Sequence, residues 1–139
     1  MPFDLATINK QTRALFDAQQ GLELVVLFGS VATGQTHAKS DFDIAILPRT
    51  GVSMTLMQEL QLQHALSVAT GLEVDLVRLD RATPVVKREV ARNGIPLLER
   101  SPGAFSQFAA NAALEYLELQ PLLEQGRKRY LARVSAGQK

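Results

Sequence analysis

The feature that most constrains this chain is the run LELVVLF at residues 22–28. Six of its seven residues are apolar, its centre is β-branched, and Gly29 closes it before one good helix could form, so it reads as a buried strand. A second run, DFDIAILP at 41–48, is a strand closed by Pro48, and LEVDLVRL at 72–79 alternates cleanly as a third. The dozen residues between the first two carry Gly34 and small side chains and suit one helical turn and a loop.

Helical spacing fills the intervals. Leu5, Ile8, Leu15 and Phe16 mark a helix over residues 4–19, with Gly21 as its expected stop. Leu56, Leu60, Ala65 and Val68 recur at helical intervals in SMTLMQELQLQHALSVATG, with Gly71 as the stop. Residues 82–93 form a short helix with Thr83 as N-cap, Pro84 at its first position and Gly94 at its end. A brief strand follows at 95–98, where Pro96 suits a sheet edge. From about 103 the chain is helical to its end, and Pro121 is expected to kink or divide that helix. This order of elements predicts an α/β (α+β) chain, with a mixed sheet of about four strands and helices packed on it.

At 139 residues the chain is expected to be one compact domain, with residues 1–100 as its body and 101–139 as a helical extension. Fifteen Lys and Arg balance fourteen Asp and Glu, leaving little overall field for nucleic acid or an anionic membrane, so direct nucleic-acid binding is not expected. With no cysteine, neither disulfides nor thiolate metal sites are possible. The N-terminal residues lack a signal-peptide pattern and no run reaches the roughly 20 apolar residues of a membrane span. A cytoplasmic protein is expected.

The candidate chemistry lies in three places. Asp41 and Asp43 share one strand face with Ala45 and Leu47, while Phe42, Ile44 and Ile46 point the other way. Two neighbouring carboxylates repel unless a proton or a hard cation such as Mg²⁺ lies between them; the plain alternative is that Ser40-Asp41 is turn chemistry and Asp43 a solvated strand residue. Asp75 sits with Glu73, Val77 and Leu79 on one face of the third strand. Aspartate is unfavourable inside a strand, so it either pairs structurally, with Arg78 or Arg81, or completes a three-carboxylate site. Gly29-Ser30 offers close backbone approach, a hydroxyl and helix-start amides to a phosphate, or is simply a turn glycine with a serine cap. It is neither a Walker A loop nor a dinucleotide fingerprint.

Gly29-Ser30, ten intervening residues, Asp41-x-Asp43 and a later strand bearing Asp75 together resemble the DNA polymerase beta-like nucleotidyltransferase superfamily across residues 22–79. Within it, the short chain and the tail from VDLVRLDRATPVVKREVARNGIPLLER resemble the minimal nucleotidyltransferase (MNT-domain) antitoxins of MntA–HepT toxin–antitoxin pairs. The resemblance implies a polymerase beta-like fold and a Mg²⁺-dependent protein adenylyltransferase that moves AMP from ATP to a tyrosine hydroxyl of a HEPN-type ribonuclease toxin, its expected partner in a hetero-oligomer. It implies that Gly29 and Ser30 hold the nucleotide phosphates, with Lys39 and Ser40 as further nucleotide contacts. Asp41, Asp43 and Asp75 become the catalytic and metal-binding carboxylates for two Mg²⁺ ions, Asp75 lying near the acceptor hydroxyl. Family members often carry a basic or aromatic residue after the Gly-Ser pair; this chain has Val31, and Lys39 or His37 would stand in. The alternatives are a small-molecule nucleotidyltransferase of the antibiotic-modifying kind, which generally brings an extra helical domain, and an antitoxin acting by occlusion alone.

Other residues do less. His64 reads as a surface or partly buried histidine, and His37 lacks a second histidine for a transition-metal pair. Tyr116 and Tyr130 are assigned to packing or surface rather than to accepting a nucleotide. No Arg-x4-6-His motif of the HEPN ribonucleases occurs. Phe105, Phe108, Ala112, Tyr116, Leu119 and Leu123 make one apolar stripe, widened by Leu114, Leu117 and Leu122, which can face the domain's own sheet, a partner helix or both. The basic end, Arg127, Lys128, Arg129, Arg133 and Lys139, complements the helix dipole or meets an acidic partner.

Overall fold

A computed structural model of the chain describes residues 4–29 and 42–137. The first helix, α1 (Leu5–Ala18), starts at Asp4, whose carboxylate accepts from the Ala6 amide and the Thr7 hydroxyl. It buries Ile8, Thr12 and Phe16, one residue per turn, and the Thr12 hydroxyl donates to the Ile8 carbonyl at 2.7 Å, so no polar group is stranded. Its stop is Gln19, not Gly21 as the sequence suggested. The reason is a distant residue: the Arg100 guanidinium donates to the Phe16, Gln19 and Leu22 carbonyls, satisfying the helix end without a left-handed glycine.

Strands β1 (Leu22–Phe28), β2 (Phe42–Pro48), β3 (Val74–Arg78) and β4 (Ile95–Glu99) form one sheet in the order β3-β2-β1-β4. β1 pairs antiparallel with β2 and β4, while β2 and β3 run parallel through the crossover helix α2 (Leu56–Thr70). This is the mixed sheet expected, with the proline-bearing strand at its edge. Leu24, Val25, Val26 and Leu27 in the central strand are fully buried, because helices cover both faces. One face packs with α1 and α2 through Ile8, Phe16, Leu62 and Leu66. The other packs with α3 (Pro84–Asn93) and α4 (Ala104–Gly137) through Val90, Phe108 and Ala112.

The helix signals in the sequence hold where they are local. Thr55 and Gln58 form a capping box on α2 and Gly71 ends it in the left-handed region. Thr83 caps α3 with Pro84 in its first turn. Gly94 ends α3 for a packing reason: a Cβ there would run into the Val90 carbonyl and the Val26 side chain. Bare glycine lets the helix end lie on β1.

One expectation fails on tertiary grounds. The apolar row read from α2 is largely outward, with Leu56 66% and Val68 71% exposed and Leu60 also exposed; Leu62 and Leu66 face in. Apolar residues surround this helix, so periodicity alone could not choose the buried row. Of the two outcomes expected at Pro121, division does not occur, and α4 runs on as one helix to Gly137. Within its apolar stripe Phe105, Phe108 and Ala112 pack on the sheet; Leu119 is half-buried and Leu123 exposed.

Candidate active site

The site is built where β1 ends and β2 and β3 begin. Phe28 pairs with Asp43 across the antiparallel ladder, and Asp43 lies directly beside Asp75 in the parallel one. The expected faces are observed. Asp43 shares its side of the sheet with Ala45 and Leu47, and Asp75 with Val77 and Leu79, all on the α3–α4 face. Phe42, Ile44, Val74 and Leu76 belong to the opposite core.

Adjacent strands in a ladder are about 4.8 Å apart, so the register sets two carboxylates side by side on the rim of an apolar face. Asp43 is half-buried and Asp75 exposed. Gly29 adopts φ +79°, and a Cβ added there would overlap the Asp43 carboxylate oxygen Oδ2. The glycine therefore does two things: it turns the chain out of β1 through a conformation that side chains disfavour, and it leaves room for Asp43 against the backbone. Any larger residue would displace the carboxylate.

The structural alternative for Asp75 loses its first candidate. Arg78 is buried on the other face, where it donates to the Met54 carbonyl at 2.7 Å and to both oxygens of Asp80. That hydrogen bonding raises the Arg78 pKa and holds the Asp80 carboxyl below the usual carboxylate range against the cost of its partial burial. Ser30, Lys39, Ser40 and Asp41, with His37 and the predicted helical turn, lie outside the described residues. Among the described residues no group of three His, Cys, Asp or Glu side chains gathers as a metal site. Asp43 and Asp75 supply only oxygen donors, a set that fits a hard divalent cation and relieves their mutual repulsion.

Two features had no signal in the sequence. A cleft of about 480 Å³ opens on the same sheet face but at the other end of the strands, beside Leu47 and Leu79, where Lys87 bonds Glu115 at 3.1 Å. It joins segments 28 residues apart, and no local pattern announces such a pair. The Arg88 guanidinium lies 4.2 Å from the centre of the Tyr116 ring, which gives Tyr116 the packing role expected of it. Tyr130 and His64 are exposed, as a surface assignment requires.

Residues 10–103 match the family described as "Polymerase beta, Nucleotidyltransferase". The chain belongs to this nucleotidyltransferase family. A curated relative, the protein adenylyltransferase MntA of Shewanella oneidensis, is 35% identical over 86 residues, 62% of this chain and 60% of that protein. The chain thus matches somewhat less than two thirds of that relative's length. Among solved structures, a toxin–antitoxin complex with AMP-PNP superposes with TM-score 0.76 at 28% identity, covering 93% of this chain and 99% of the other. The MNT antitoxin bound to a tri-AMPylated Shewanella oneidensis HEPN toxin gives 0.73 at 26% identity, covering 91% and 97%. These nucleotidyltransferases share the sheet, its flanking helices and the C-terminal helix. No helix of the described residues is long and apolar enough to cross a membrane.

Proposed function

We propose that this nucleotidyltransferase is an antitoxin that transfers AMP from ATP to a tyrosine hydroxyl of a cognate HEPN-type ribonuclease toxin and so neutralises it, in the cytoplasm where ATP is supplied. The observation that carries the reading is the in-register pair Asp43 and Asp75 beside Gly29, whose missing side chain makes room for the first carboxylate. The superposable antitoxin complexes support a protein as the acceptor and an adenine nucleotide as the donor.

In this reading Gly29 and Ser30 hold the triphosphate by backbone and hydroxyl, with Lys39 and Ser40 as further contacts. Asp41, Asp43 and Asp75 are the ligand set for two Mg²⁺ ions, which when bound neutralise charge on the reacting phosphate and the leaving pyrophosphate. Asp75, the more exposed of the described pair, accepts the phenolic proton as the tyrosine oxygen attacks the α-phosphorus. The new bond is O–Pα, the bond that breaks joins Pα to the bridging oxygen, and pyrophosphate departs. A nucleotide on the toxin adds bulk and negative charge where RNA phosphates must bind, which stops the ribonuclease.

The test is mass spectrometry of the purified HEPN protein of the same genome after incubation with ATP, Mg²⁺ and this chain. Addition of one or more AMP units is expected, and none with Asp41→Asn/Asp43→Asn. An unmodified toxin with the wild-type chain, or equal neutralisation by the double variant, would leave occlusion as the mechanism and sink the enzymatic reading.

A further inference from the structure

Among the described residues nothing buries the outer half of α4. Every residue from Pro121 to Gly137 is exposed, a span of roughly 25 Å at 1.5 Å per residue. An isolated helix of that length is marginal in water, and Gly126 within it lowers its propensity further. Yet its apolar residues are ordered. Leu119, Leu123, Tyr130 and Val134 continue, at steps of three, four or seven residues, the row that packs the inner half through Phe105, Phe108 and Ala112, with Tyr116 against Arg88. Leu122 at 63% and Tyr130 at 64% exposure are large apolar groups left in solvent. The inner part of this row covers the sheet face that also carries Asp43 and Asp75.

Charge says what fits. Between Leu119 and Gly137 there is one acidic residue, Glu124, against Arg127, Lys128, Arg129 and Arg133. Only Arg127 is in an ion pair among the described residues, with Glu124. At the root of the overhang, Arg88 and Arg92 stand one turn apart on α3 and line a cleft of about 390 Å³ with Ala113, Tyr116, Leu117 and Gln120 of α4. Neither arginine is in an ion pair among the described residues. A second copy of this chain paired in parallel over the same outer half would bring four more cations against these four.

We infer that the outer half of α4 and the Arg88–Arg92 cleft form one docking surface for a helix of a partner protein, with an apolar face for the Leu119–Val134 row and carboxylates along its flank. One such carboxylate enters the cleft between the two guanidiniums, where Arg geometry favours two parallel hydrogen bonds. The inference rests on the proposed function in one respect: the partner is the HEPN toxin, held on the side of the molecule that bears the catalytic carboxylates.

The test uses the full-length chain and the purified toxin in isothermal titration, with AMP-PNP and Mg²⁺ as a separate ligand. Leu123→Asp/Tyr130→Asp is expected to weaken toxin binding at least about 100-fold and Arg88→Glu/Arg92→Glu about tenfold, the latter with a shallower salt dependence. Both variants should bind AMP-PNP as the wild type does and keep its thermal midpoint, which separates lost docking from lost folding. Wild-type toxin affinity in both variants overturns the inference while leaving the proposed function standing. A wild-type chain that is dimeric alone and is split by Leu123→Asp/Tyr130→Asp also overturns it, since a second copy would then be the occupant. Wild-type protein that binds AMP-PNP but not the toxin removes the proposed function and this inference together.

Discussion

Asp75 in β3 and Asp80 just past its end stand in different surroundings. Past the strand's far end Asp80 meets a buried arginine: both carboxylate oxygens accept from Arg78, at 3.1 and 2.6 Å, and the pair is anchored to the Met54 carbonyl. At its near end Asp75 is set beside another carboxylate, Asp43, and the strand's own arginine is turned to the opposite face. The same residue type, five positions apart, bonds a buried guanidinium in one place and shares a register position with a second carboxylate in the other.

The largest effect that would sharpen this contrast is at Asp43. Asp43→Asn should lower AMP transfer by about 10³-fold or more while leaving the thermal midpoint unchanged or slightly raised, because it removes one of two adjacent carboxylate charges. A clear loss of stability would mean that Asp43 is structural. Asp75→Asn should cost about 10²-fold in turnover with nucleotide binding retained; unchanged turnover would break the assignment of Asp75 as base.

Gly29→Ala mixes both kinds of effect. Its Cβ meets the Asp43 carboxylate and its φ of +79° is disfavoured for alanine, so about 1–2 kcal/mol of stability should be lost in chemical denaturation, together with most activity. Full activity in that variant would show that the carboxylate need not lie against the backbone.

The smallest effect on catalysis belongs to Asp80→Asn, which should leave AMP transfer intact and cost about 1–3 kcal/mol by weakening the partner of a buried guanidinium. The Asp80 pKa is lowered by folding, so its stabilisation is complete above the ordinary carboxylate range and fades as pH falls through the folded value. The variant should therefore lose that part of the acid dependence seen in wild-type unfolding. Because the Asp80 side chain is about a third exposed, solvent screening trims the effect to the lower end of the range. Identical acid profiles would show that the pair contributes nothing.

Much of the fold was legible because its signals are local. The strand at 22–28 coincides with β1, and Thr83-Pro84 and Gly71 mark their helix ends, since caps and strand runs are decided by hydrogen bonds and sterics within a few residues. The faces of Asp43 and Asp75 were legible for the same reason, as strand alternation needs no tertiary information. The stop of α1 was not, because Arg100 reaches it from over 80 residues away. Nor was the buried row of α2, since an apolar residue pattern on all sides leaves the choice to whatever packs against it.

For the candidate site, the sequence by itself determined on which side of their strands Asp43 and Asp75 stand, because a period of two follows from the peptide backbone alone. Only the tertiary structure decided that Asp43 and Asp75 share one register position, that Gly29 closes against the first of them, and that Arg78 is spent elsewhere. Register between strands is fixed by what the helices bury on each face. That is a property of the packed sheet and of no single segment.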